Sequence, residues 1–254
     1  MSATSAIDAI VVGSGPNGLA AAITLAREGL AVRVYEASEA AGGGTRSAEL
    51  TLPGFTHDVC STVVATALVS PFFEDRGLER LGLELAHPEI PAGHALDDRA
   101  ALLHRDIEAT ADGLGRDGAA YRRLMGPIVE AADRGHLLPW LLGPVTRLPR
   151  HPLAAARFGI PALASTTGLT KLLYRDGAAR ALHAGLSAHA MVPLRQPSTA
   201  SFGLVRALAA HLVGWPVVRG GMQPFADALV AELRSLGGEI VTGRPVTDLD
   251  ELPP

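Results

Sequence analysis

Glycines at 13, 15 and 18, spaced G-x-G-x-x-G, and an acid at Glu36, eighteen residues further on, are the residues whose types and spacing could do chemistry here. Gly13 permits a tight turn, Gly15 lets backbone approach a pyrophosphate, and Gly18 lets a helix pack closely on a strand. The helix that opens there offers free N–H groups and the positive end of its dipole to phosphate oxygens. Glu36 can accept hydrogen bonds from ribose hydroxyls, and its charge disfavours a 2′-phosphate. In a chain with 28 glycines the spacing alone says little. Its surroundings decide, because the fingerprint needs a strand before it, a helix opening on it and an acid at the end of the next strand.

The elements that would position these residues are legible. Residues 7–12 form an apolar, β-branched run ending at glycine, which predicts a strand buried on both faces. Residues 16–28 predict a helix, with Leu19, Ala22, Ile23 and Ala26 on one stripe and Gly29 as the residue that ends it. Residues 31–35 predict a second strand. Strand, helix and strand make a right-handed βαβ unit. Farther on, Pro53-Gly54 punctuates a short segment at 48–59, and Asp97-Asp98 turns a hairpin between 94–96 and 101–103. Residues 106–213 read as helical but broken, with Asp106, Asp117, Asp176 and Ser198 as N-caps and eight prolines keeping the helices short. Residues 223–236 predict a helix ended by Gly237-Gly238, residues 239–242 a strand, and residues 246–249 its partner.

Composition narrows the field. The chain of 254 residues is 48% hydrophobic with a net charge of -4, which excludes a disordered chain and argues against a basic nucleic-acid binder. Cys60 is the sole cysteine, so there is no disulfide framework. The uncharged stretch 9–26 is interrupted by the glycine turn and is no bilayer helix. The N-terminus carries no basic leader segment, and the expected location is cytoplasmic. The nine histidines give no metal-ligand spacing; His183 and His189 stand six apart, and packed or solvated histidines are expected, with no metal site. No serine stands in G-x-S-x-G.

A second glycine cluster, Gly42-Gly43-Gly44-Thr45-Arg46, follows the acid. Taken with Val11 to Gly18, Tyr35-Glu36-Ala37 and Pro53-Gly54-Phe55-Thr56-His57-Asp58, it resembles the N-terminal part of phytoene dehydrogenase-like FAD-dependent oxidoreductases, relatives of the carotenoid desaturases and, more distantly, the flavin amine oxidases. Residues 188–194 and 214–222 resemble segments from the middle of that family, as does Gly237-Gly238-Glu239-Ile240 followed by Val246. The resemblance implies FAD as cofactor, with Gly42 and Gly43 as the family's doublet and the backbone at Val246 meeting the adenine. It implies hydride transfer from a lipophilic substrate C–H to flavin, with no catalytic base named. Where many relatives carry arginines against the diphosphate, this chain has Ser38 and Gly44; Arg46 is the candidate substitute.

The fold implied is α/β: a Rossmann-like, two-dinucleotide-binding FAD domain (1–85 and 214–254) interrupted by a mainly helical substrate domain (86–213), with the C-terminal part of the family's fold missing. Cys60 reads as a small buried residue or one lining the substrate side. The uncharged run 61–73 reads as buried core, or as a face for an apolar substrate or peripheral membrane contact. Arginines 116, 122, 123 and 134 read as a solvated face. Two other functions stay open at this point: an NAD-dependent dehydrogenase, which would not need Gly42-Gly43, and a truncated, non-catalytic nucleotide-binding remnant. The partner expected is a small, apolar substrate and no nucleic acid.

Overall fold

In the computed structural model, which describes residues 7–74, 78–144 and 146–253, the apolar run before Gly13 pairs as strand β1 (Ala9–Val12). It runs parallel to β2 (Val32–Tyr35), with Val11 opposite Val34 and Val12 opposite Tyr35. Helix α1 (Pro16–Arg27) joins them and buries Leu19, Ala22, Ile23 and Ala26, the stripe that the 3.6-residue period requires. Pro16 sits in the first turn, where its missing N–H costs nothing. Gly29, at φ +85°, ends the helix.

The further strands are β3 (Ser47–Glu49), β4 (Thr56–Asp58), β5 (Leu85–Ala86), β6 (Ala92–Ala95), β7 (Ala100–Leu103), β8 (Val217–Val218) and β9 (Glu239–Val241). The further helices are α2 (Ala65–Leu68), α3 (Pro71–Glu74), α4 (Ile107–Gly113), α5 (Gly118–Asp133), α6 (Leu138–Leu141), α7 (Pro152–Ala162), α8 (Thr166–Leu173), α9 (Gly177–Ser187), α10 (Ala200–Val213) and α11 (Gln223–Ser235). They divide into two compact units. The first comprises Met1–Val64, Pro71–Ala86 and Val217–Pro254; the second comprises Ala65–Ser70 and His87–Pro216.

In the first unit β9 adds parallel to β2, giving the order β1-β2-β9. Helix α11 packs against α1 through buried Phe225, Ala226, Leu229 and Leu233, and an Arg27–Glu232 ion pair joins the two helices. β3 and β4 pair antiparallel across the Pro53-Gly54 turn, with Ala48 opposite His57. Two expectations are corrected. β1 is not buried on both faces: it lies at the edge of the sheet, no described strand flanks its other side, and Val12 is 51% exposed. Residues 246–249 do not pair with β9. There Asp248 accepts from the Asp250 N–H and Thr247 Oγ1 donates to Glu251, local bonds that compete with a ladder and close a single 3₁₀ turn at Leu249–Glu251.

The second unit is mainly helical around a core that includes Met125, Ile128, Leu137, Tyr174, Leu204 and Leu208. The β6–β7 hairpin turns at Asp97-Asp98. Asp106 caps α4 by accepting from the Ala109 N–H at 2.7 Å, and Asp176 caps α9 by accepting from Ala178. Ser165, unforeseen, caps α8. Ser198 is not a cap: it stands at φ +63°, one residue before Thr199 at the start of α10. Pro127 does not shorten a helix either, since it lies inside the 16-residue α5. The arginines behave as surface residues, with Arg122 bridging Glu108 and Asp112 and Arg134 paired to Glu130. Buried His211 is held between Tyr121 Oη at 2.7 Å and the Arg105 carbonyl at 2.9 Å.

Asp117 stands at the start of α5, yet its buried carboxylate does not cap that helix. It accepts from the Arg175 N–H at 2.9 Å and the Asp176 N–H at 2.6 Å, pinning the loop between α8 and α9. Asp117→Ala leaves both donors without their acceptor and is expected to cost about 2 kcal/mol, read as a lowered urea midpoint at unchanged slope.

The run at 61–73 is not deep core. Val64 and Ala65 are buried, while the rest are half-buried or exposed. Cys60 is exposed, against the expectation of a small buried residue. Among the described residues no helix is long and apolar enough to cross a membrane. Residues 1–6, where the N-terminus was read as lacking a basic leader, lie outside the described residues.

Candidate dinucleotide-binding site

The turn after β1 is built backbone first. Gly13 takes φ +96°, a left-handed conformation open to glycine, and its N–H donates to the Tyr35 carbonyl at 2.7 Å. A Cβ on Gly18 would stand 2.0 Å from the Gly13 carbonyl oxygen, so the first turn of α1 lies directly on the preceding loop. Gly15 differs. Its φ of -64° suits any residue, and a Cβ built there meets nothing within 4 Å. The space above Gly15 is therefore open. Around it the N–H groups of Gly15, Asn17 and Gly18 have no acceptor among the described residues. Three unpaired donors at the start of a twelve-residue helix form an anion cradle.

Glu36 directly follows β2 beside this cradle and is only 7% exposed. Its Oε2 accepts from the Ser14 N–H at 2.8 Å and from Ser14 Oγ at 2.6 Å; its Oε1 accepts from the Ser38 N–H at 2.8 Å. Burial pushes the carboxyl upward, but the bonds from Ser14 and Ser38 outweigh it and bring the pKa down to about 2. The backbone of Glu36 is fixed as well, its N–H to the Val241 carbonyl and its C=O to the Arg244 N–H. A carboxylate offers roughly four acceptor positions; three take these bonds and the Ser38 hydroxyl also faces the group, so a ribose hydroxyl would bind Oε1 in exchange for it.

The second glycine cluster closes on the first. Gly42 N–H donates to the Ser14 carbonyl at 3.0 Å, and a Cβ on Gly43 would lie 2.9 Å from Gly15 Cα. Gly42, at φ +121°, leaves no room for a Cβ beside Ala226 of α11. Arg46 reaches back, its Nε donating to the Gly43 carbonyl at 2.9 Å. The loop after β9 arrives from the other side: Gly243 N–H donates to the Ser38 carbonyl, and the Arg244 guanidinium lies 4.9 Å over the Tyr35 ring. Val246 follows on this loop, half-buried, its N–H and C=O without a hydrogen bond among the described residues.

The structure thus brings Gly13, Gly15, Gly18, Glu36, Gly42, Gly43 and Arg46 to one turn, with Val246 on the neighbouring loop. Sequence reasoning missed Ser14, the hydroxyl that ties the turn to the acid; its signal was a serine at the first variable position of the motif. It also missed the role of Asp58, whose carboxylate accepts from Ser47 Oγ at 2.7 Å and the Met222 N–H at 2.8 Å. That link anchors the β3–β4 hairpin to the start of α11. Burial opposes ionisation of Asp58, yet its bonds to Met222, Ser47 and Thr62 hold its pKa below the usual carboxylate range.

A glycine turn with free peptide donors, opening a helix beside an ionised acid at the end of the next strand, defines a dinucleotide-binding Rossmann-like unit. Comparison with known proteins agrees: residues 11–75 match the NAD(P)-binding Rossmann-like domain family. The chain is 30% identical to hydroxyneurosporene desaturase of Cereibacter sphaeroides, over 93% of this chain and 49% of that protein. It is 30% identical to one of the subunits of limonene dehydrogenase from Castellaniella defragrans, over 56% of this chain and 26% of that one. A solved structure of putrescine oxidase superposes with a TM-score of 0.60 at 24% identity, covering 94% of this chain and 51% of the oxidase. The desaturase-like resemblance read from the sequence is borne out. The chain spans about half or less of each of these proteins.

Proposed function

We propose that this chain carries the adenosine-diphosphate half of an FAD site in an oxidoreductase that takes hydride from a C–H bond of a small, lipophilic substrate. The observation that supports this most is the ionised Glu36 beside an open Gly15 cradle, with the Gly42-Gly43 backbone packed against it. FAD, when bound, supplies the hydride acceptor. The chain's own residues bind and orient. The N–H groups of Gly15, Asn17 and Gly18 receive diphosphate oxygens, Glu36 Oε1 takes a ribose hydroxyl, and the Val246 backbone meets the adenine edge. Arg46 Nε is engaged by Gly43, leaving its terminal nitrogens to offset diphosphate charge. Glycine at 43 is needed because any side chain there would push into Gly15. In this reading the second unit is the substrate domain, and the protein works in the cytoplasm.

Calorimetric titration of the 254-residue chain with FAD, ADP and NAD tests the reading. FAD and ADP are expected to bind, with NAD weaker than FAD. Gly15→Val is expected to lower FAD affinity at least about tenfold, because it fills the space a diphosphate needs. It should cost the fold only about 1 kcal/mol, the penalty of a β-branched residue at the N-cap of α1, since a Cβ there meets no described atom within 4 Å. NAD binding tighter than FAD, or unaltered FAD affinity in Gly15→Val, sinks the proposal.

A further inference from the structure

Two segments singled out in the sequence, 188–194 and 214–222, take no part in the glycine turn. Within the second unit the first of them and Trp215 of the other meet at an open cleft of about 580 Å³, much of whose lining is exposed. That volume lies in the range of small-molecule sites. Ala188, His189 and Met191 line one side, Leu182 and Leu186 of α9 another, and His94 of β6, Arg206 of α10 and Trp215 complete it. Met191 holds φ +57°, a conformation uncommon for a residue with a side chain, and is 87% exposed.

The charge of this cavity is one-sided. No acidic side chain among the described residues lines it. Arg206 is half-buried, burial lowers its pKa, and no carboxylate among the described residues counters that effect. Its guanidinium carbon stands 5.8 Å from the centre of the Trp215 ring, and the Trp215 indole N–H donates to the Arg206 carbonyl at 3.3 Å. Burial and the neighbouring Arg206 charge both hold His189 below the ordinary imidazole range. A half-buried guanidinium with no described carboxylate beside it gains from an anion, most of all one that brings an apolar body to cover it. Leu182, Leu186 and the Trp215 ring supply the apolar wall for such a body.

We propose that this cavity binds an amphipathic carboxylate, its head on Arg206 with the neighbouring histidines as further hydrogen-bond partners, and its chain against Leu182, Leu186 and Trp215. The proposal rests on the lipophilic-substrate reading above and narrows it to substrates with an anionic end.

Trp215 is its own reporter. The chain has two tryptophans, and Trp140→Phe leaves Trp215 as the sole indole. In that background, fluorescence titrations below micellar concentrations would use dodecanoate, dodecan-1-ol and dodecyltrimethylammonium. No FAD is present, so failure here is separable from failure of the flavin reading. Dodecanoate is expected to bind about tenfold more tightly than dodecan-1-ol, as a charge-assisted hydrogen bond would give. The ammonium should bind more weakly than either. R206Q should erase the preference for dodecanoate over the alcohol, and R206K, which keeps the charge, should retain most of it and guard against a mere folding defect. Equal affinity for carboxylate and alcohol, a preference surviving in R206Q, a preference lost in R206K, or no response of Trp215 to any of the three overturns the proposal.

Discussion

Gly18→Ala is expected to destabilise the first unit by about 3 kcal/mol or more, an effect above the usual range for one added methyl group in a packed interior. The added Cβ would lie 2.0 Å from the Gly13 oxygen and 3.2 Å from its carbonyl carbon. Both are backbone atoms, so no side chain can rotate away. Gly13 cannot retreat, because its N–H is bonded to the Tyr35 carbonyl at 2.7 Å and ties the loop to β2. α1 cannot retreat either, because Leu19, the next residue, and Ile23, just over a turn further along, are fully buried. Either the helix leaves the sheet or the βαβ unit loses its register. Urea unfolding followed by circular dichroism checks this, with Gly15→Ala as the comparison, since a Cβ there meets nothing. Equal midpoints for the two variants would show that helix and loop are not in the close contact described.

That contrast also shows what the sequence could disclose. The spacing of Gly13, Gly15 and Gly18 announced the turn because each glycine answers a local demand: a left-handed φ, an open approach, a close contact. The buried stripe of α1 was legible for the same reason, since a helix period is a local property. What escaped were long-range partnerships. Ser14 and Glu36 are 22 residues apart, and Asp58 and Met222 are 164 apart. A polar residue's type says that it needs a partner, but not where the fold places one. The same holds for Asp117, read as a cap from its position yet drawn away by two N–H groups nearly sixty residues on. β1 misled for a related reason: its apolar run describes the strand, whereas its exposure depends on what the rest of the sheet places beside it. Ser198 and residues 246–249 misled because neighbouring side chains bond locally, Thr199 and Ser201 hydroxyls to backbone carbonyls and Thr247 and Asp248 within their turn, and reset element boundaries by a residue or more.

Glu36 should make the stability of the first unit depend on pH in a defined window. Its carboxyl falls from an ordinary value of 4.5 to about 2 in the fold. A depressed folded-state pKa means that the unfolded chain binds the proton first, so the stabilisation is fully present above about pH 4.5 and is lost as the pH falls towards 2. At about 1.4 kcal/mol for each pH unit of depression, the loss is about 3 kcal/mol. The cause is local: protonation removes a charged acceptor from the Ser14 N–H, Ser14 Oγ and the Ser38 N–H at once. Glu36→Gln keeps the shape but not the charge. It should therefore be less stable than the parent by about that amount at neutral pH, and the gap should close as the pH approaches 2. On the proposed reading nucleotide binding should follow, because the same carboxylate holds the turn that presents Gly15. Urea midpoints for the two proteins at pH 7, 4.5 and 3, with ADP titrations wherever both stay folded, measure the coupling. A gap between parent and Glu36→Gln that stays constant from pH 7 to 3 would mean that the bonds from Ser14 and Ser38 do not hold the charged form. Glu36 would then be an acid beside the turn and not the group that builds it.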